Sequence, residues 1–125
     1  MIRKKWLAVV ALFGGSLCAQ NPVVPPGVFA ADPEGHQWKD GRLYLYVSRD
    51  ESPDFYCSWR YDLLSTDDLK NWTIHRDAFA SKGPNDEVPY SDGELYASDA
   101  AYKDGKYYLY YSMRDAIDEG VAVAD

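Results

Sequence analysis

Trp38-Lys39-Asp40-Gly41-Arg42-Leu43-Tyr44-Leu45-Tyr46-Val47-Ser48 returns later in the chain as Tyr102-Lys103-Asp104-Gly105-Lys106-Tyr107-Tyr108-Leu109-Tyr110-Tyr111-Ser112, at a constant offset of 64 residues. Each copy sets an Asp-Gly pair between two runs of strand-forming residues, the strongest short-range signal for a two-residue type I′ hairpin. Each repeat is therefore expected to contain a tight hairpin. After the first hairpin the sequence reads as a loop over 49–60, a strand over 61–65, a polar turn over 66–71 and a strand over 72–76, which makes a four-stranded meander. The second copy begins the same way and reaches a loop over 114–119 and a third strand over 121–123.

The composition agrees. Eleven Tyr, four Trp and four Phe in 125 residues, punctuated by Gly, Pro and Asp-Gly pairs, are strand-and-turn composition, so the class is all-β. Leu43, Leu45 and Val47 alternate with Tyr44 and Tyr46, so both faces of that strand are apolar enough to be covered. A repeated four-stranded meander covered on both faces is the pattern of a β-propeller blade. A sandwich or jelly roll with Tyr-rich strands is the other architecture open to such strands. About one and a half blades are present, so a chain ending here is expected to leave strand edges unpaired and to be poorly soluble by itself.

Residues 1–20 read as a secretory signal peptide: Arg3, Lys4 and Lys5 precede the apolar run 6–13 and the small-residue stretch 14–19. The apolar run is too short to span a bilayer, which takes about 20 residues. Lipid attachment at Cys18 is the rival reading, but Leu17 stands where a small residue is wanted. The mature chain, 21–125, is expected to be secreted or periplasmic, with no membrane association once the signal is removed. Cys57 is then its single cysteine, read as an inert thiol. A net charge of −7, with no Lys/Arg cluster after residue 5, argues against nucleic acid as a partner.

Upstream of each hairpin lies an aspartate after alanine: Ala31-Asp32-Pro33 in the first repeat and Ala97-Ser98-Asp99 in the second. Both are read as opening the first strand of a blade. First strands line the central channel of a propeller, so the two carboxylates are expected to converge there. Carboxylates brought close separate in pKa and can divide acid and base roles, as glycosidic cleavage requires; the plain alternative is that each caps a turn. The long connections, over 49–60, 78–98 and 114–119, gather on the face that carries Asp32 and Asp99, while the Asp-Gly turns lie opposite. Phe55, Tyr56 and Trp59 in those loops either offer stacking platforms for sugar rings or fill space between blades. His36, four residues after Asp32, is placed on the same strand face, where it would point into the channel. His75 falls on the outermost strand and is expected to be exposed.

These residues resemble glycoside hydrolase family 43, five-bladed β-propeller enzymes that include β-xylosidases and α-L-arabinofuranosidases. The stretch from Asn21-Pro22-Val23-Val24 to Ala31-Asp32-Pro33 resembles the family's opening motif, which makes Asp32 its general base. Leu95-Tyr96-Ala97-Ser98-Asp99 resembles the second motif, Trp-Ala-Pro-Asp, with Tyr96 for Trp and Ser98 for Pro. Asp99 is then the carboxylate that tunes and orients the acid. Ser65-Thr66-Asp67-Asp68-Leu69-Lys70-Asn71-Trp72 resembles the family's outer-strand signature.

The resemblance implies an inverting hydrolysis of xylan, arabinan or arabinoxylan, with a polysaccharide or oligosaccharide as substrate and His36, Trp59 and Tyr96 among the residues that bind it. The general acid, a Glu of the third blade, is expected beyond Asp125, so this stretch alone should be inactive. Glu34, Glu87, Glu94 and Glu119 occupy no position equivalent to the two aspartates in the sequence repeat. No cofactor and no metal site are expected within the chain; calcium at the channel centre occurs in some relatives. A non-catalytic carbohydrate-binding propeller, with Asp32 and Asp99 bonding sugar hydroxyls, is the leading alternative. Fructan hydrolases and mannoside phosphorylases share the fold and an early Asp.

Overall fold

The computed structural model describes residues 23–54, 58–114 and 119–125. Among them there are seven strands and no helix: β1 (Ala30–Gln37), β2 (Leu43–Arg49), β3 (Arg60–Thr66), β4 (Thr73–Ala80), β5 (Leu95–Lys103), β6 (Lys106–Met113) and β7 (Glu119–Ala124). They form two antiparallel meanders, a sheet in the order β1-β2-β3-β4 and another in the order β5-β6-β7. The expected strands are all present. β4 runs on to Ala80 and β5 starts at Leu95, so the connection between sheets is 81–94, shorter than the expected 78–98. The signal segment, Phe55, Tyr56 and Cys57 lie outside the described residues.

The two Asp-Gly turns differ. In the second, Lys103 pairs with Lys106, and Asp104 and Gly105 both have positive φ (52° and 87°), as a type I′ turn demands. In the first, only Gly41 is left-handed, at 81°. Trp38 N donates to Arg42 O (3.4 Å) and Gly41 N to Trp38 O (3.0 Å), closing a three-residue loop of Lys39, Asp40 and Gly41. The Asp40 carboxylate is tied into this longer turn: it accepts from the Tyr44 hydroxyl at 2.6 Å and from Arg42 N at 3.1 Å, which holds its pKa below the usual carboxylate range. The expectation of a two-residue turn in both repeats is therefore corrected for the first.

The turn between β3 and β4 is built from side chains bonding their own backbone. Thr66 Oγ1 accepts from Asp68 N and Leu69 N; Asp68 Oδ1 accepts from Lys70 N and Asn71 N. Those amide donors hold the Asp68 carboxyl well below its ordinary range. Leu69, left-handed at 60°, completes the turn. His75 is exposed on β4, as expected, within 3.2 Å of Ser65 Oγ.

β5 lies against β1, β2 and β3, so the second sheet stacks on the first through its first strand. The core between them is Tyr61, Phe79, Val88, Leu95, Tyr111 and Met113, with Leu109 and Ala122 packed on it. Phe79 bridges the sheets, its ring centroid 5.9 Å from that of Tyr61 and 4.9 Å from that of Tyr111. At the end where β1 and β5 begin, polar clips add to this packing: Leu95 N donates to Ser58 O (2.9 Å), Trp59 Nε1 to Asp92 O (2.8 Å) and Ser81 Oγ to Gly93 O (2.6 Å). Leu95 has no exposed surface, so Leu95→Ala loses apolar burial and leaves a cavity at the sheet interface. A destabilisation of about 2–5 kcal/mol is expected in urea unfolding, with an unchanged m value.

A buried ionic group, not foreseen from the sequence, joins β2, β3 and β4. Asp62, with 1% of its surface exposed, accepts from Arg76 Nη1 at 2.5 Å and from the backbone N of Asp77 at 3.1 Å; Arg49 Nη2 lies 3.4 Å from it. Arg49 also pairs with Asp77. Asp77 sits at φ 54° within the bulge where the β3/β4 register shifts between Tyr61 and Leu63.

Candidate active site

Both inner strands carry a bulge. In β1, Ala31 pairs with Ser48 and the ladder resumes with Glu34 opposite Tyr46, so Asp32 and Pro33 together face the single residue Val47. Proline has no N–H to give the ladder, and aspartate tolerates the left-handed φ of 47° found here. In β5 the shift falls between Tyr96 and Ser98. Bulges beside a site re-aim side chains; the β1 bulge contains Asp32, and the β5 bulge precedes Asp99.

Asp32 is exposed. It lies close enough to the Tyr61 hydroxyl to act on it: burial pushes the Tyr61 pKa up, and the Asp32 charge adds to that shift. The Tyr61 hydroxyl in turn donates to the backbone oxygen of Tyr96, crossing from the first sheet to the second. Asp32, Tyr61 and Tyr96 thus belong to one neighbourhood.

Asp99 belongs to an adjoining one. Its Oδ1 accepts from His36 Nε2 at 2.9 Å and from Ala100 N at 2.6 Å. Glu34 Oε1 lies 3.8 Å from the same His36 nitrogen. His36 reaches from β1 in the first sheet to β5 in the second, so two of the expected site residues are in direct contact. The imidazole lies flat on the Trp38 indole, centroids 4.8 Å apart and planes 2° from parallel.

The register corrects one expectation. Tyr46 and Tyr110 are related by the 64-residue repeat; Glu34 faces the first and Asp99 the second. Glu34, not Asp32, is therefore the positional equivalent of Asp99. The cause is the first hairpin, whose turn takes up one residue more than the second and displaces β1 by one position relative to β5. Asp32 falls instead at the bulge.

Trp59 stands apart from this cluster in its contacts. Its indole N–H is bound to Asp92 O and its ring carries the Lys82 ammonium at 5.0 Å from the centroid, so it is anchored to the 81–94 connection. Glu34 and Tyr61 were not singled out as site residues. The first was masked by the turn difference, and the second had no signal beyond being one tyrosine in a Tyr-rich chain. Glu34, His36 and Asp99 offer three metal-capable atoms within 4.8 Å of one another, but the 2.9 Å His36 to Asp99 contact is a hydrogen bond that an ion would have to break.

Residues 19–125 match the family described as glycosyl hydrolases family 43. The chain is 33% identical over 111 residues to a xylosidase/arabinosidase of Bacteroides ovatus, covering 80% of this chain and 33% of that protein. It is 36% identical over 109 residues to xylosidase/arabinosidase 43A of Humicola insolens, covering 78% and 33%. Among solved structures, RS223-Beta-xylosidase is similar with a TM-score of 0.67 and 31% identity, over 80% of this chain and 33% of that one. The chain spans about a third of the length of these relatives. The two stacked meanders are one blade and part of the next of a β-propeller, and the chain belongs to glycosyl hydrolases family 43.

Proposed function

We propose that this chain supplies the first blade and part of the second to a secreted or periplasmic glycoside hydrolase that cleaves xylan- or arabinan-type oligosaccharides and polysaccharides with inversion. The observation that carries the reading is the pair of exposed carboxylates, Asp32 at the β1 bulge and Asp99 on β5, held on neighbouring inner strands. The names of the relatives support the choice of sugar.

In this mechanism Asp32 takes a proton from water as its oxygen attacks the anomeric carbon. A carboxylic acid from a later blade gives its proton to the departing glycosidic oxygen. The base and acid carboxyls of inverting enzymes stand about 6.5–9.5 Å apart, which leaves room for the water. Asp99 acts by charge: an anion near the acid disfavours its ionisation, raises its pKa and keeps it protonated at working pH. The step needs no cofactor, since Asp32 generates the nucleophile from water.

The test is an assay of a form of the protein carrying the remaining blades, on aryl β-xylosides and aryl α-L-arabinofuranosides, with the first-formed anomer read by proton NMR. Turnover with the inverted anomer is the expected result. A retained anomer would overturn the assignment of Asp32 as base, and saturable sugar binding without turnover would make the protein a carbohydrate-binding propeller.

A further inference from the structure

We propose that His36 is a positioning residue for Asp99, fixing across the blade boundary the orientation of the carboxylate that tunes the acid; this rests on the role given to Asp99 above. Asp99 has 62% of its side chain exposed. A short carboxylate that open to water is not held by packing, and its other hydrogen bond is to the N–H of the next residue, Ala100. The fixed point is the His36 Nε2–H, which donates to Oδ1 at 2.9 Å from a strand 63 residues away in sequence.

His36 can serve because it is itself immobilised. Its ring stacks on Trp38 and meets the edge of Tyr46 at 6.1 Å and 74°. Trp38 is locked in turn: its Nε1–H donates to the Tyr46 hydroxyl at 3.2 Å, and its ring packs edge-on against Tyr107 of β6 at 5.4 Å. The clamp therefore touches both sheets, and the imidazole is only a quarter exposed. Of its two ring nitrogens, Nε2 is taken by Asp99, with Glu34 3.8 Å away, so that nitrogen is not open to a sugar hydroxyl. His36 thus acts through Asp99 rather than on the substrate, in contrast to the substrate-binding role expected from the sequence.

The experiment is a double-mutant cycle in a form of the protein carrying all blades, using His36→Phe, His36→Gln, His36→Asn and Asp99→Ala. Misplacing a charge by about 1 Å can cost on the order of 100-fold in rate. His36→Phe is accordingly expected to lower kcat about 10- to 100-fold with KM nearly unchanged. The Gln amide can still donate and should restore most of the loss; the shorter Asn amide should not, which keeps the test open if the Phe variant fails to fold. In the Asp99→Ala background His36→Phe should cost nothing further. If Asp99→Ala is costly but the two losses multiply, or if His36→Phe raises KM and leaves kcat intact, the inference falls while the role of Asp99 stands. If Asp99→Ala has no effect, the role of Asp99 fails first and the inference goes with it.

Discussion

Asp62→Ala is expected to destabilise the protein by about 3–5 kcal/mol, the cost of removing one partner from a buried ion pair. The aspartate is almost wholly enclosed and is held by Arg76 Nη1, by the Asp77 amide and by Arg49. Removing it leaves the Asp77 N–H without its acceptor and takes one of three nearby carboxylates from Arg49, whose side chain is 16% exposed. Asp77, still paired with Arg49, softens the loss but cannot reach the place Asp62 filled. Arg76→Ala should cost less, about 1.5–3 kcal/mol, the worth of a hydrogen bond to a charged group, because Arg49 stays 3.4 Å from the buried carboxylate and offsets part of its charge. Urea unfolding of the two variants separates these cases. An Asp62→Ala loss as small as that of Arg76→Ala would mean that water enters the group freely and that the β3/β4 bulge stands without it.

Much of this fold was legible because its signals are local. An Asp-Gly pair between Tyr-rich runs locates two strands and their turn without knowledge of the rest of the chain, and the repeat locates two more such strands. What could not be read depends on partners distant in sequence or on small differences in identical motifs. The dipeptides Asp40-Gly41 and Asp104-Gly105 are the same, yet the first sits in a turn one residue longer than the second. That single residue decides that Glu34 and not Gly35 stands level with Asp99, while Asp32 lies at the bulge. Asp62 interrupts the run Tyr61-Asp62-Leu63-Leu64, and its cations are not the neighbouring Arg60 but Arg49 and Arg76, which arrive from β2 and β4. His36 was placed on the site, but its hydrogen bond to Asp99 exists only because β5 docks on β1.

The largest effect on activity is expected from Asp32→Asn. The substitution keeps size and shape, and asparagine shares aspartate's tolerance of the left-handed backbone, here at φ 47°. Alanine at the same place would add backbone strain of about 1–2 kcal/mol and confuse loss of a base with loss of the bulge. Because Asp32 is exposed, its amide analogue should leave the unfolding midpoint where it was. A general base contributes about 10²- to 10⁴-fold to a rate, so kcat should fall by that factor, while KM moves little because water and not the sugar is what the base touches. Azide attacks without giving up a proton, so it needs no base; with an aryl glycoside it should restore part of the rate to Asp32→Asn and yield a glycosyl azide of inverted configuration. That product ties the lost function to activation of water. If Asp32→Asn keeps more than about a tenth of the wild-type kcat, well above the residue a lost general base leaves, proton removal lies elsewhere, and Glu34, two residues along the same strand, becomes the carboxylate to replace next.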